Sequence, residues 1–305
     1  MLTDYHLHLR LDDLSATATE HFTAANVQRY RDVASERGIA ELGVSEHIHR
    51  FTQALTVWRH PFWREVAVDD LDDYCRFVRD DTDLRLGLEA DFVPGMEDRT
   101  ANLLQARDFD YVVGSVHFLR DYALDMDDYG VWSSGHSAEE IWREYFRTLG
   151  EAARSGLFDI LAHPDLVKVW GRERPLPKGD LRRYYELAID GIAESGIAVE
   201  VSTAGLRKRA REIYPAPAFL EMCVQAGAPI ALSSDAHRPE DVGADYDRAL
   251  ELLDSVGVGE LCVFERRERR LESISHTGTP HDGGQVPHDT QPGAGGGQAS
   301  GAGVA

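Results

Sequence analysis

The sequence predicts an α/β fold, a parallel sheet of short buried strands alternating with amphipathic helices. Three observations predict it. Apolar runs recur at 2–5, 41–45, 84–88, 111–114, 159–162, 198–201 and 229–232. The segments between them carry helical periodicity with recognisable end signals. Nearly every run is followed at once by a histidine or a carboxylate. Buried strands alternating with helices imply right-handed crossovers.

The helices can be taken in order. Val27, Tyr30 and Ala34 recur at helical spacing ahead of Gly38, a suitable C-terminal residue. Ser137 and Glu140 form a capping box ahead of Ile141, Tyr145 and Leu149, and Gly156 closes that helix. Tyr184, Leu187 and Ile192 stripe a third helix ending at Gly196. Val242, Tyr246, Leu250 and Leu253 stripe the last. An open doubly wound sheet and a closed barrel both fit this order. Neither G-x-G-x-x-G nor G-x-x-x-x-G-K-[ST] follows the first strand, which removes the main nucleotide-binding folds.

The strand ends favour the barrel. The first run leads to His6 and His8 in DYHLH, the second to Glu46 and His47 in GVSEH. The third gives Glu89 and Asp91 in GLEAD, the fourth His117 in GSVHF, and the fifth His163 in LAHPD. The sixth holds Glu200 and Ser202, and the seventh leads to Asp235 and His237 in SSDAH. In a parallel barrel all C-terminal strand ends share one face, where active sites sit. Two residues apart on an extended chain, His6 and His8 point to the same side, as do Asp235 and His237. Such imidazoles and carboxylates suit Zn, Fe or Mn.

Composition narrows the partners. Formal net charge is −21, from 53 acidic and 32 basic residues in a chain of 305. That excess disfavours nucleic acid and anionic membrane, which are bound by clustered Lys and Arg. A phosphorylated metabolite would be repelled too, unless cations in the site reverse the local field. Cys75, Cys223 and Cys262 are widely spaced with no C-x-x-C pair, which fits a reducing cytoplasm. The N-terminus lacks the pattern of a signal peptide, and no apolar run approaches the ~20 residues that span a bilayer. Residues 276–305 are rich in Gly, Pro, Gln and Thr and are expected to be disordered; their His276, His281 and His288 read as solvated. The catalytic domain is therefore expected to cover residues 1–270.

DYHLH, VSEH, GLEADF, VVGSVHF, LAHPDLVK, VEVSTAGLRK and ALSSDAH, in this order, resemble the motifs of the PHP (polymerase and histidinol phosphatase) superfamily, most closely its histidinol-phosphatase branch. The resemblance spans roughly residues 1–260 and implies a distorted (β/α)7 barrel holding two or three divalent transition-metal ions, Zn, Mn or Fe. It implies that His6, His8, Glu89 and Asp235 surround one cation. Glu89 would bridge to a second with His117 and His163, and His47 and His237 would take a third. The family usually adds a histidine six positions beyond the H-x-H pair. Leu14 stands there in this chain, with Asp12, Asp13 or His21 as available substitutes.

Paired cations of this kind polarise a water and neutralise phosphoryl oxygens, so the resemblance implies hydrolysis of a small phosphorylated metabolite, L-histidinol phosphate. Asp235, Glu89 and His237 are the expected catalytic group, with Asp235 orienting the water. By resemblance Arg207 in STAGLRK contacts the phosphate; the competing reading is a salt bridge on a helix surface. Lys168 and Arg50 are further candidates for substrate binding. Residues 50–69 carry Phe51, Trp58, Phe62 and Trp63, and residues 118–136 carry Asp121, Asp125, Asp127 and Asp128. An aromatic wall plus carboxylates suits an imidazole ring with a free ammonium. The alternatives are another phosphate monoester or a nucleotide, or an amidohydrolase-type reaction. Against the last, no Lys follows the fourth strand, where that family often carries a carbamylated one.

Overall fold

The computed structural model describes residues 1–11 and 16–274. The expected tail at 276–305 and the positions of Asp12, Asp13 and Leu14 lie outside the described residues. Twelve strands occur among those described: β1 Leu2–Asp4, β2 Ile39–Val44, β3 Arg85–Leu86, β4 Glu89–Asp91, β5 Val113–Ser115, β6 Phe118–Leu119, β7 Tyr122–Ala123, β8 Ile160–Leu161, β9 Ala198–Ser202, β10 Ile230–Ser233, β11 Glu260–Glu265 and β12 Glu268–Ser273.

Parallel pairing runs β1–β2–β3 and then β4–β5–β8–β9–β10. Because β3 and β4 are one extended stretch interrupted at Gly87 and Leu88, the two sheets are continuous. The ring closes between the ends of β1 and β10. There His8 N donates to Ala236 O at 2.8 Å, and the buried Asp4 carboxylate accepts from Ser234 N at 3.0 Å and Gly243 N at 3.2 Å. The seven expected strands are thus the staves of a distorted barrel. Most bounds shift by one or two residues, and one shift touches the site: the third stave continues through Asp91, so Glu89 and Asp91 sit inside the strand rather than beyond it.

Side chains alternate across each stave. Val112, Leu161, Val199 and Leu232 face the helices, while Tyr111, Val113, Ile160, Ala198 and Ala231 belong to a second, inner cluster. The antiparallel hairpin β11–β12, absent from the sequence reading, adds Cys262, Val263 and Phe264 to that inner cluster. Inside the barrel, Gly43 and Gly87 make room for the Tyr111 ring; a Cβ at either would overlap it.

The expected helices are present. Ala24–Glu36 is followed by Gly38 at φ +69°, Ala138–Arg154 starts on the Ser137–Glu140 capping box, and Arg182–Ser195 ends at Gly196 with φ +63°. The last helix is Tyr246–Ser255 and excludes Val242, because Gly243 and Asp245 take left-handed conformations in between. Leu71–Asp81, Glu97–Gln105 and Pro217–Gln225 complete the longer helices of the described residues. No described helix is long and apolar enough to cross a membrane.

Candidate metal centre

The C-terminal ends of the staves bring the expected histidines and carboxylates together around Glu89. Glu89 Oε2 lies 3.4 Å from His6 Nε2 and 3.6 Å from His8 Nε2, and it also meets His47 Nδ1. The other oxygen, Oε1, lies 3.2 Å from His163 Nε2 and 3.4 Å from His117 Nε2. Asp235 Oδ1 is 3.7 Å from His6 Nε2 and 3.5 Å from His8 Nε2. His237 Nε2 lies 3.4 Å from His47 Nε2, and both rings stack on His8, at 4.3 and 4.1 Å between centroids. Three sets of potential ligand atoms converge: His6/His8/Asp235, His6/Glu89/His163 and His8/His47/His237.

The donor set fits a transition metal. Nitrogen and oxygen ligands about 2.1 Å from one tetrahedral cation lie about 3.4 Å apart. The His6, His8, Glu89 and Asp235 atoms are separated by 3.4 to 3.7 Å. His6 Nε2 and His8 Nε2 are also buried without a hydrogen-bond partner, a costly arrangement for polar atoms unless something else satisfies them.

Electrostatics hold Glu89 and Asp235 ionised and divide the histidines. Against burial, Glu200 and Glu89 raise the pKa of His6 well above that of free imidazole, and Glu89 and Asp91 raise that of His117 to about 10, whereas that of His8 is lowered. Burial works against ionised Glu89, yet His47, His6 and His117 hold its pKa well below the ordinary carboxylate value. Burial likewise opposes ionised Asp235, and its neighbours His6, His8 and His237 overcome it. For His8, burial and then the neighbouring His47 and His237 push the pKa well below that of free imidazole, so the ring is neutral, as a ligand must be.

The same fold recurs in known proteins. The PHP domain model matches residues 6–204. A Deinococcus radiodurans protein named "Probable histidinol-phosphatase" is 33% identical over 88% of this chain and 98% of its own length. This chain belongs to the PHP family. A Bacillus subtilis protein named "Histidinol-phosphatase" is 26% identical over 76% of this chain and 94% of its own length. The crystal structure of histidinol phosphate phosphatase from Lactococcus lactis, complexed with zinc, L-histidinol and phosphate, shares the fold with a TM-score of 0.66 and 18% identity, covering 88% of this chain and 98% of that one.

In this PHP barrel a cavity of about 620 Å³ opens above the centre. His47, His117, His163, Asp235 and His237 are among its lining residues, and its walls include Phe62, Phe118, Tyr129, Trp170 and Tyr214. Asp125, Asp127 and Asp128 also face it, as expected, whereas Asp121 and Trp58 line a different cavity and Trp63 is fully buried. Phe51 is likewise core. The aromatic wall therefore comes from Phe62 and from residues far along the chain.

Of the expected basic residues, Arg50 lines the cavity, but Arg207 and Lys168 do not. Arg207 donates through Nη2 to Ser234 O, and its Nε lies 3.5 Å from Asp241 Oδ1, which is the salt-bridge reading. Lys168 is buried and fully engaged with Asp165, Glu212 and the Ile213 carbonyl. The next residue after Arg207, Lys208, faces the cavity instead, as does Arg10. His21, one of the substitutes for the missing family histidine, ends the short helix Ala18–His21 and joins none of the three ligand sets.

Several supporting carboxylates were not among the expected site residues. Asp91 Oδ1 accepts from His117 Nδ1 at 2.8 Å, and Glu200 Oε1 accepts from His6 Nδ1 at 2.7 Å. Glu46, whose pKa burial raises to about 7, accepts from Leu9 N and Arg10 N behind His8. All three occupied strand ends in the sequence, and only their hydrogen bonds separate them from Glu89.

Proposed function

We propose that the chain hydrolyses L-histidinol phosphate to L-histidinol and phosphate, using two or three divalent transition-metal ions, Zn, Mn or Fe, held at the barrel mouth. The observation that carries this reading is Glu89, whose two carboxylate oxygens each face a different set of histidines. His6, His8, Glu89 and Asp235 would hold one ion, His117 and His163 with Glu89 a second, and His47 and His237 a third. Bound there, the ions supply an activated water and neutralise charge on the phosphoryl oxygens.

The protein's own residues do the rest. Asp235, held ionised, accepts a hydrogen bond from the attacking water and orients it in line with the phosphorus. Lys208 and Arg50 offset the dianionic phosphate at the cavity wall, against the chain's net negative charge, while Arg10 beside them is paired with Asp69. Phe62, Tyr129 and Trp170 pack on the imidazole ring of the substrate. Asp127 is already paired with Arg174 at 2.6 Å, which leaves Asp125 and Asp128 to favour the ammonium. We place the reaction in the cytoplasm, where the unpaired Cys75, Cys223 and Cys262 would stay reduced.

Phosphate release from histidinol phosphate, a neutral alkyl phosphate, a nucleoside monophosphate and a phosphodiester tests this directly. Histidinol phosphate is expected to be cleaved fastest and the diester hardly at all. Replacing Asp125 and Asp128 by Asn should then penalise histidinol phosphate more than the neutral ester. A nucleotide or diester as best substrate would overturn the assignment.

A further inference from the structure

We infer that Glu200 is a positioning residue that sets two of the three ligand groups at once, and that it does so from outside the cavity. The inference rests on the proposed metal centre. Glu200 lies on β9, is 1% exposed, and is absent from the cavity lining. Its Oε1 accepts from His6 Nδ1 at 2.7 Å and from Ser233 Oγ at 2.5 Å, and its Oε2 accepts from the backbone N–H of His163 at 2.5 Å. One carboxylate thus ties together β1, β8 and β10, three staves that supply ligands separated by more than two hundred positions of sequence.

Each contact fixes something that ligation needs. A carboxylate only accepts, so a neutral, ligating His6 carries its proton on Nδ1, with the Nε2 lone pair facing Glu89 and Asp235. His163 has φ +23°, a conformation uncommon for a residue with a side chain. The bond to Glu200 holds that backbone so that Nε2 reaches Glu89 Oε1. His6 belongs to two of the ligand groups and His163 to one of them. Asp91 works more narrowly. It holds His117 at 2.8 Å and touches neither His6 nor His163.

Glu200→Gln separates this role from simple filling of space. The amide has nearly the same shape but offers one acceptor and one donor in place of two acceptors. With its oxygen towards His163 N–H, its NH2 meets His6 Nδ1 and favours the tautomer with a proton on Nε2, which cannot ligate. With the amide reversed, the His163 N–H faces another donor. The first orientation inverts the contact with His6 and the second breaks that with His163.

The test equilibrates wild-type holoprotein, Glu200→Gln and Asp91→Asn against zinc buffers of graded free concentration, with metal content, the cobalt(II) absorption spectrum and Tm as readouts. Glu200→Gln is expected to lower apparent zinc affinity about 10- to 100-fold and change the cobalt spectrum. Asp91→Asn is expected to weaken one class of site and spare the other. Wild-type protein that takes up no zinc would remove the metal-centre reading and this inference with it. Zinc-binding wild type alongside a folded Glu200→Gln of unchanged affinity would overturn the inference alone. Should Glu200→Gln not fold, Glu200→Asp, too short to span both histidines, carries the same expectation. Loss of folding in both would assign Glu200 to the barrel core and likewise overturn it.

Discussion

Lys168 Nζ lies 2.7 Å from Asp165 Oδ2 with both groups buried, and the same ammonium reaches Glu212 Oε2 at 2.8 Å and Ile213 O at 2.9 Å. The pair clamps the segment after His163 to the loop that precedes helix Pro217–Gln225, where Ala216 N also donates to Asp165 Oδ2. It stands behind the catalytic face as a structural tie.

Removing one partner of a buried pair leaves the other charge uncompensated. Lys168→Ala should therefore destabilise the protein by about 3–5 kcal/mol. KM of the folded fraction should stay near the wild-type value. Denaturant titration alongside steady-state kinetics checks both, and a large rise in KM at unchanged stability would return Lys168 to substrate binding.

Lys208 and Arg207 are neighbours with different expected roles. Lys208→Ala, removing a cation from the cavity wall, should lower kcat/KM by about one to two decades through loss of a charge-assisted contact worth about 1.5–3 kcal/mol. Arg207→Ala should act first on stability, through the lost bond to Ser234 O beside Asp235. Finding the larger kinetic defect in Arg207→Ala would reverse the assignment.

Chelation should abolish phosphate release, and Mn, Fe, Co or Zn should restore it where Ca does not. Six histidines would supply ligand atoms to the proposed centre, and imidazole nitrogen is a poor partner for hard Ca²⁺. Metal analysis of active, purified protein without any transition metal would sink the mechanism.

The helix Leu71–Asp81 offers a pH test away from the site. Asp70 caps it, its Oδ1 accepting from Asp72 N and Asp73 N at 2.9 Å each. The bond from Asp73 N, the bond from Gln53 and that from Asp72 N lower its pKa against a smaller effect of burial. A carboxylate depressed in the folded state stabilises above its unfolded pKa, about 3.9, and loses that contribution as pH falls through the lower folded value. Asp70→Ala should thus cost about 1 kcal/mol at neutral pH, with the gap to wild type narrowing as pH falls below about 4. Asp70→Asn, which keeps an uncharged acceptor, should retain most of the cap at both pH values. Urea unfolding at pH 7 and pH 3 measures it.

Local spacing made the barrel and most of its centre legible. A strand has a period of two, so His6 and His8 had to share a face, and parallel staves place His47, Glu89, His117, His163 and Asp235 at one end whatever the loops do. Capping chemistry is equally local, which is why Ser137–Glu140 and Gly196 marked helix ends correctly. The hairpin β11–β12 was missed because its outer strand is almost entirely polar and exposed, and its apolar strand carries no ligand beyond its end.

What only the tertiary structure decided is the direction taken by side chains on irregular backbone. Arg207 and Lys208 are adjacent at the end of the four-residue helix Ala204–Arg207, where one step of chain turns a side chain away from the cavity or towards it, and Asp241 and Ser234 settled the choice. Trp58 and Phe62 share one connection yet face different cavities, because 3-10 turns and the short helix Pro61–Val66 carry no long period to read. Glu200, Asp91 and Glu89 are alike in sequence, as buried carboxylates on staves. Their roles diverge through partners contributed by other staves, Glu89 gathering imidazole nitrogens from several histidines and the other two each holding one histidine by its Nδ1. Sequence periodicity sets which face a strand residue occupies; the hydrogen-bond partner waiting there belongs to a distant part of the chain and exists only once the barrel has closed.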